Sequence, residues 1–252
     1  MAEIRHASTI LIRNGWNTSY FRDSDMGVSF IGAGPGDAGL ITVKGKRLIE
    51  DADTIIYPGS SINPEILEFS DGRKINSWDL SFEEVIACIV DEVGRGRTVV
   101  KLHSGDPSLF EGTSVYLHAL SERGIQAEIV PGVSSLSAVA ASLGTELTED
   151  QALIVIRPAG EPWKDDYRFE SGSIEKLSGY GAATASAMAI FIGSRYIREI
   201  MEIVTYPPDT EVSVAYHASW DDEGIVTGTV ADIADKVEEI GVKRSAIILI
   251  KS

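Results

Sequence analysis

Residues 32–37, Gly32-Ala33-Gly34-Pro35-Gly36-Asp37, follow the apolar run Val28–Ile31 and precede an amphipathic segment that starts near Leu40. A strand–turn–helix opening of this kind offers backbone N–H groups to a ligand. A dinucleotide fingerprint needs Gly at its first, third and sixth positions, and counted from Gly32 the sixth is Asp37. A carboxylate there repels a pyrophosphate, and Pro35 removes a backbone donor. The loop suits a ligand that is apolar or cationic near its reactive end. Two more glycine-containing loops, Ser104–Pro107 and Pro131–Ser135, follow apolar runs. Each alone is ordinary turn chemistry. At the carboxyl ends of parallel strands, however, they share the edge where open α/β sheets gather ligands, so convergence on one ligand is expected.

Other chemistries find little support. The four histidines are His6, His103, His118 and His217, and none has the spacing of a metal pair. No metal is expected. His103 stands beside the Gly105-Asp106 loop, where it serves either a ligand or the strand end. A Ser–His–Asp hydrolase needs an elbow such as G-x-S-x-G, and none occurs. Trp163, Trp220 and Tyr216 fit either a pocket wall or a core. The flanks of Asp106, Gly105 and Pro107, set a tight turn. Its carboxylate is expected to accept nearby backbone hydrogen bonds or to orient a ligand's polar end.

Composition sets the outer bounds. The chain has 252 residues, 44% hydrophobic, which suffices for one large or two small α/β domains. Lys+Arg number 22 against 38 Asp+Glu, a net charge of -16, and no basic run interrupts the acidity. Nucleic acid is therefore not an expected partner. The single cysteine, Cys88, lies on the apolar face of an expected helix. It allows no intrachain disulfide and suits a reducing compartment, so a cytoplasmic location is expected. No apolar run approaches the length of a membrane span. Residues 1–27 read as an extension without a signal-peptide pattern, partly ordered by Ile10, Leu11, Ile12 and Trp16.

The elements that must position the loops follow from periodicity. Strands are predicted at Val28–Ala33, Thr54–Tyr57, Thr98–Leu102 and Gln126–Val130. Helices are predicted at Leu40–Asp51, Phe82–Val93 (stopped by Gly94), Ser114–Arg123 and Ser134–Leu143. This alternation predicts a mainly parallel sheet. A polar stretch, Thr145–Gln151, places a domain boundary, giving domains 28–147 and 148–252. The second, smaller domain has strands at Ala152–Arg157, Met188–Ile192, Glu211–Tyr216, Gly224–Thr229 and Ser245–Ile250, some antiparallel. Its helices are Arg195–Val204 and Val230–Ile240, and Pro158–Tyr180 reads as a loop with a short helix.

The run Gly32–Gly45, GAGPGDAGLITVKG, resembles the opening of the tetrapyrrole methylases. Ser104-Gly105-Asp106-Pro107 and Val130-Pro131-Gly132-Val133-Ser134-Ser135 are similar to that family's second and third motifs, in the same order. The likeness spans about residues 28–250. It implies two α/β domains with S-adenosylmethionine in the cleft between them, and C-methylation of a reduced tetrapyrrole. Within the family, Tyr57-Pro58-Gly59-Ser60, Leu102–Phe110 and Tyr216-His217-Ala218-Ser219-Trp220 look most like the branch that methylates precorrin-4, with or without cobalt, at C11. Relatives acting on uroporphyrinogen III carry an Asp after the tyrosine. Pro58 stands there and cannot take a proton.

Carried over residue by residue, the resemblance implies cofactor contacts at Pro35, Ser104, Gly105, Asp106, Leu109, Ser134, Ser135, Ile192 and Ala218. A sulfonium cation tolerates the acidic turn that a pyrophosphate does not. Asp37 and His103 are the candidates for a base. The substrate's carboxylates call for local cations, with Lys44, Arg157, Lys164 and Arg195 as possible members. A homodimer is implied by the family alone. The alternatives are a methylase of the same fold acting on another precorrin, on diphthamide or on ribosomal RNA, and a non-enzymatic or NAD-type nucleotide-binding α/β protein.

Overall fold

The computed structural model describes residues 27–148, 152–159, 168–171, 173–241 and 246–251. All but the last residue of the expected extension, and both Trp163 and Lys164, lie outside these. The first half runs β1 (Val28–Gly32), α1 (Val43–Glu50), β2 (Thr54–Tyr57), α2 (Pro64–Leu67), β3 (Arg73–Asn76), α3 (Phe82–Gly94), β4 (Val99–His103), α4 (Thr113–Ser121), β5 (Ala127–Val130) and α5 (Ser135–Leu143). Its strands order as β3-β2-β4-β1-β5, and every pairing is parallel. Crossover helices force this: parallel neighbours need a connection that passes over a face.

Both faces of the sheet are covered, so the strands bury side chains in both directions. Ile31, Val100 and Leu102 pack with Ile49 of α1 and Ile66 of α2. Val28, Phe30 and Val99 pack with Val85, Ile86 and Ile89 of α3 and Leu120 of α4. Cys88 packs at the edge of this second core, and burial pushes its thiol up, which suits filler better than a nucleophile.

The second half runs β6 (Leu153–Ile156), α6 (Ile174–Thr184), β7 (Ala187–Phe191), α7 (Ile197–Ile203), β8 (Glu211–Tyr216), β9 (Gly224–Thr229), α8 (Ile233–Ile240) and β10 (Ala246–Lys251). The order is β6-β7-β10-β8-β9, with only β6–β7 parallel. Ile248 and Ile250 of β10 face a core with Ile174, Ile197, Ile200, Ile233 and Val237. Ile247 and Leu249 face the other way, onto Leu136, Ala138 and Val139 of α5. The last helix of the first half is thus the cover of the second sheet.

Several expectations need correction. The helix expected from Leu40 begins at Val43, because Thr42 caps it by accepting from Gly45 N at 3.1 Å. Leu40 closes a separate 3-10 turn, Ala38–Leu40, and Val43 is exposed. Helix α3 runs through Gly94, and the left-handed residue that follows it is Gly96, at φ 75°. Helix α6 extends past the expected loop, to Thr184. Periodicity predicts neither strand β3 nor helix α2. The β3 sequence Arg-Lys-Ile-Asn has one apolar residue, as a sheet edge tolerates and a periodicity search overlooks.

Opposite the glycine loops, one carboxylate ties the sheet to α3. Glu92 is 1% exposed and accepts from Thr54 Oγ1 at 2.7 Å, Arg97 at 2.8 Å and Arg73 at 2.9 Å. The Arg97 and Thr54 hydrogen bonds pull its pKa from 4.5 to about 2. A depressed carboxylate stabilises the fold fully above its unfolded value and loses that contribution as pH falls toward the folded one. Glu92→Gln is expected to lose stability at neutral pH. It should then lose less than wild type between about pH 5 and about pH 3, read by urea denaturation. Equal acid losses in both proteins would contradict this role.

Candidate active site

The three glycine loops follow β4, β1 and β5, which are adjacent strands. Their backbones touch. Ala33 N donates to His103 O at 2.8 Å, Gly105 N to Gly34 O at 2.8 Å, and Gly34 N to Gly105 O at 3.3 Å. A Cβ on Gly32 would lie 2.6 Å from both the Gly105 carbonyl oxygen and Gly132 Cα, and one on Gly132 would lie 2.2 Å from that oxygen. No side chain fits these positions. Asp106 locks the contact: Oδ1 accepts from Ser108 N at 2.7 Å and from the Ser108 hydroxyl, while Oδ2 accepts from Gly132 N at 3.2 Å. Of its two expected roles, Asp106 takes the first, the acceptance of backbone hydrogen bonds.

The second half supplies the facing wall. Trp220 Nε1 donates to Pro35 O at 2.8 Å, and Asp37 N donates to Ser219 Oγ at 3.1 Å. The indole lies so close to Gly36 that a Cβ there would meet Trp220 Cδ1 at 2.2 Å. Glu223 accepts from Ser219 N at 2.6 Å and from Ser142 Oγ of α5 at 2.8 Å.

Between these walls lies one cavity, and all nine residues expected at a cofactor line it: Pro35, Ser104, Gly105, Asp106, Leu109, Ser134, Ser135, Ile192 and Ala218. Ser60 and Ser61, just past Pro58, line it as well. Three non-glycine residues of the lining are left-handed: Phe110 at φ 63°, Ile192 at φ 58° and His217 at φ 47°. For a β-branched or bulky residue this is strained backbone, of the kind that persists at functional sites. Phe110 also packs edge-on to Phe191 at 5.2 Å between ring centroids, joining the two walls.

Neither base candidate lies at this wall. Asp37 spends its carboxylate as a cap, accepting from Gly39 N at 2.7 Å, with the residue exposed outside the cavity. His103 is 1% exposed, with Nδ1 3.0 Å from Glu111 Oε2 and Nε2 3.4 Å from Lys101 Nζ. Burial pushes its pKa down, so the imidazole is neutral. Two further titratable residues line the cavity, Glu111 and His217. His217 stacks on Tyr216 at 3.8 Å and on Trp220 at 5.3 Å, with Nδ1 2.9 Å from Asp222 Oδ1. That hydrogen bond holds the Asp222 carboxyl below its usual range. The sequence signal for His217 is the Tyr216–Trp220 run itself, which carries the family likeness. Of the cations named from the sequence, Lys44 pairs with Glu128 at 2.5 Å, Arg157 lies 5.9 Å over the Phe110 ring, and Arg195 lies 5.9 Å from the Tyr196 ring. None of these three lines the cavity.

Comparison with known proteins agrees with this geometry. Residues 27–234 match the family model of the Tetrapyrrole (Corrin/Porphyrin) Methylases. The chain is 44% identical to the cobalt-precorrin-4 C(11)-methyltransferase of Methanocaldococcus jannaschii, over 90% of this chain and 88% of that one. It is 39% identical to the precorrin-4 C(11)-methyltransferase of Pseudomonas aeruginosa, over 89% of each. A solved cobalt precorrin-4 methyltransferase superposes with a TM-score of 0.82 at 32% identity, covering 92% of this chain and 97% of its own. The two-sheet architecture, the three meeting glycine loops and these matches agree: the chain belongs to the tetrapyrrole methylases.

Proposed function

We propose that the chain transfers a methyl group from S-adenosylmethionine to C11 of precorrin-4, in its cobalt-containing or metal-free form. The observation that carries the reading is the meeting of three glycine loops with the Pro35–Trp220 contact around one cavity. The named relatives support the choice of ring carbon. The cavity suits the cofactor's chemistry. Its floor is backbone from small residues, its wall is apolar at Leu109, Phe191 and Ile192, and the Asp106 carboxylate at its lining suits a cationic ligand. Pro58 excludes the base that uroporphyrinogen-methylating relatives place after the tyrosine.

S-adenosylmethionine supplies an activated methyl, so alignment of carbon, methyl and sulfur can provide much of the rate. The chain's part is to hold that line. The Asp106 clamp fixes the second loop against the third, and Trp220 fixes the first against the second half. Arg157, stacked over Phe110, is the basic side chain we assign to the substrate's carboxylates. We take 28–147 and 148–252 as the two domains and 1–27 as an extension, in a cytoplasmic homodimer. Light scattering at micromolar concentration should read twice 27.2 kDa, and a monomer alone would remove the dimer.

The function is tested with labelled S-adenosylmethionine and a panel of precorrins. Label is expected at C11 of precorrin-4 or its cobalt form. Label on another precorrin moves the substrate within the family. No transfer, with NAD binding by calorimetry instead, would overturn the methylase reading.

A further inference from the structure

Glu111 sits between two left-handed residues, Phe110 at φ 63° and Gly112 at φ 65°. That double turn delivers it to the cavity lining just before α4, with its side chain 31% exposed. One oxygen, Oε2, meets His103 Nδ1 at 3.0 Å. The other, Oε1, has no hydrogen bond among the described residues. Asp106, also at the lining, is already occupied by Ser108 and Gly132.

Behind Glu111 the fold buries two titratable side chains. Lys101 and His103 lie two apart on β4, on the face that packs under α4, and are 5% and 1% exposed. Lys101 Nζ lies 3.4 Å from His103 Nε2 and 4.8 Å from the Tyr116 ring centroid. One tautomer satisfies the row: the ammonium donates to Nε2, and Nδ1–H donates to Glu111. A buried ammonium is costly unless it is paired. Its counter-charge here is the Glu111 carboxylate, relayed across a neutral imidazole. Burial lowers Lys101 to about 8, and the Glu111 charge opposes that fall. Two buried polar groups are thus committed to aiming one carboxylate at the cavity.

We propose that Glu111 accepts the proton released in the methyl transfer, with His103 and Lys101 as positioning residues. The inference rests on the C-methylation reading above. In that reaction the methyl–sulfur bond breaks and a methyl–carbon bond forms with an electron pair from the macrocycle. The cofactor leaves as a neutral thioether, and the positive charge passes to the ring. Loss of a ring proton discharges it. Glu111 Oε1 takes that proton, becomes a carboxylic acid, and returns it to solvent through the open cavity.

The test compares wild type with Glu111→Gln, which keeps the size of the side chain and an oxygen for His103. Single-turnover methyl transfer is followed with the precorrin that the panel identifies. S-adenosylmethionine and S-adenosylhomocysteine affinities are measured by calorimetry on the same proteins. The expected result is a rate lower by about 10²–10⁴-fold, with affinity within about threefold of wild type. Lys101→Met should lower kcat with KM unchanged, and Lys101→Arg should recover most of it. An unchanged rate in Glu111→Gln overturns the proposal, as does a loss of affinity that accounts for the loss of rate. So does a rate loss that appears in His217→Asn and not in Glu111→Gln. If wild type methylates no precorrin, the function reading fails and takes this assignment with it.

Discussion

The site depends on a contact between backbones. Gly32, Gly105 and Gly132 sit so close that a methyl on Gly32 or Gly132 would overlap the neighbouring chain. That closeness lets the turns after β1, β4 and β5 act as one surface. The strand order is its precondition, because β4, β1 and β5 are neighbours only through crossovers that skip positions in the sheet. Asp106 then ties Gly132 to the second loop, and the Gly34–Gly105 pair ties that loop to the first.

The second half gives this surface its facing wall. Helix α5 leaves the third loop and packs on the second sheet through Leu136, Ala138 and Val139. Trp220 closes the other side by lying flat on Gly36 and bonding Pro35 O. Gly36 is therefore glycine for the sake of a residue far away in sequence. The left-handed backbones of Phe110, Ile192 and His217 mark where the chain departs from easy geometry to line the cavity. Such strain must be offset elsewhere, and the buried sheets and their helices do so.

Much of this was legible in the sequence. Alternating strands and helices predict the parallel sheet, and the glycine loops, expected to share one edge of it, do meet there. Where a dinucleotide fingerprint has its sixth glycine this chain has Asp37, and close helix–strand packing is provided instead by Gly45, whose Cβ would meet Ile31 at 3.0 Å. What stayed hidden was what sequence spacing does not encode. Strand β3 carries too few apolar residues to be seen, and its neighbours decide its fate. Asp37 resembled a reactive group, yet it caps a turn, which is the commoner use of Asp before a helix. In the sequence His103 stands out only for its neighbours along the chain. Its relevant neighbours, Lys101 and Glu111, emerge only from the strand's period of two and the turn at Phe110.

On the proposal above, the three glycine loops and the Trp220 wall form the S-adenosylmethionine site. A crystal structure of the chain with S-adenosylhomocysteine checks this placement. The ligand is expected against Gly105 and Asp106 on one side and Ile192 and Ala218 on the other. A ligand bound away from Gly105 and Asp106 would contradict it.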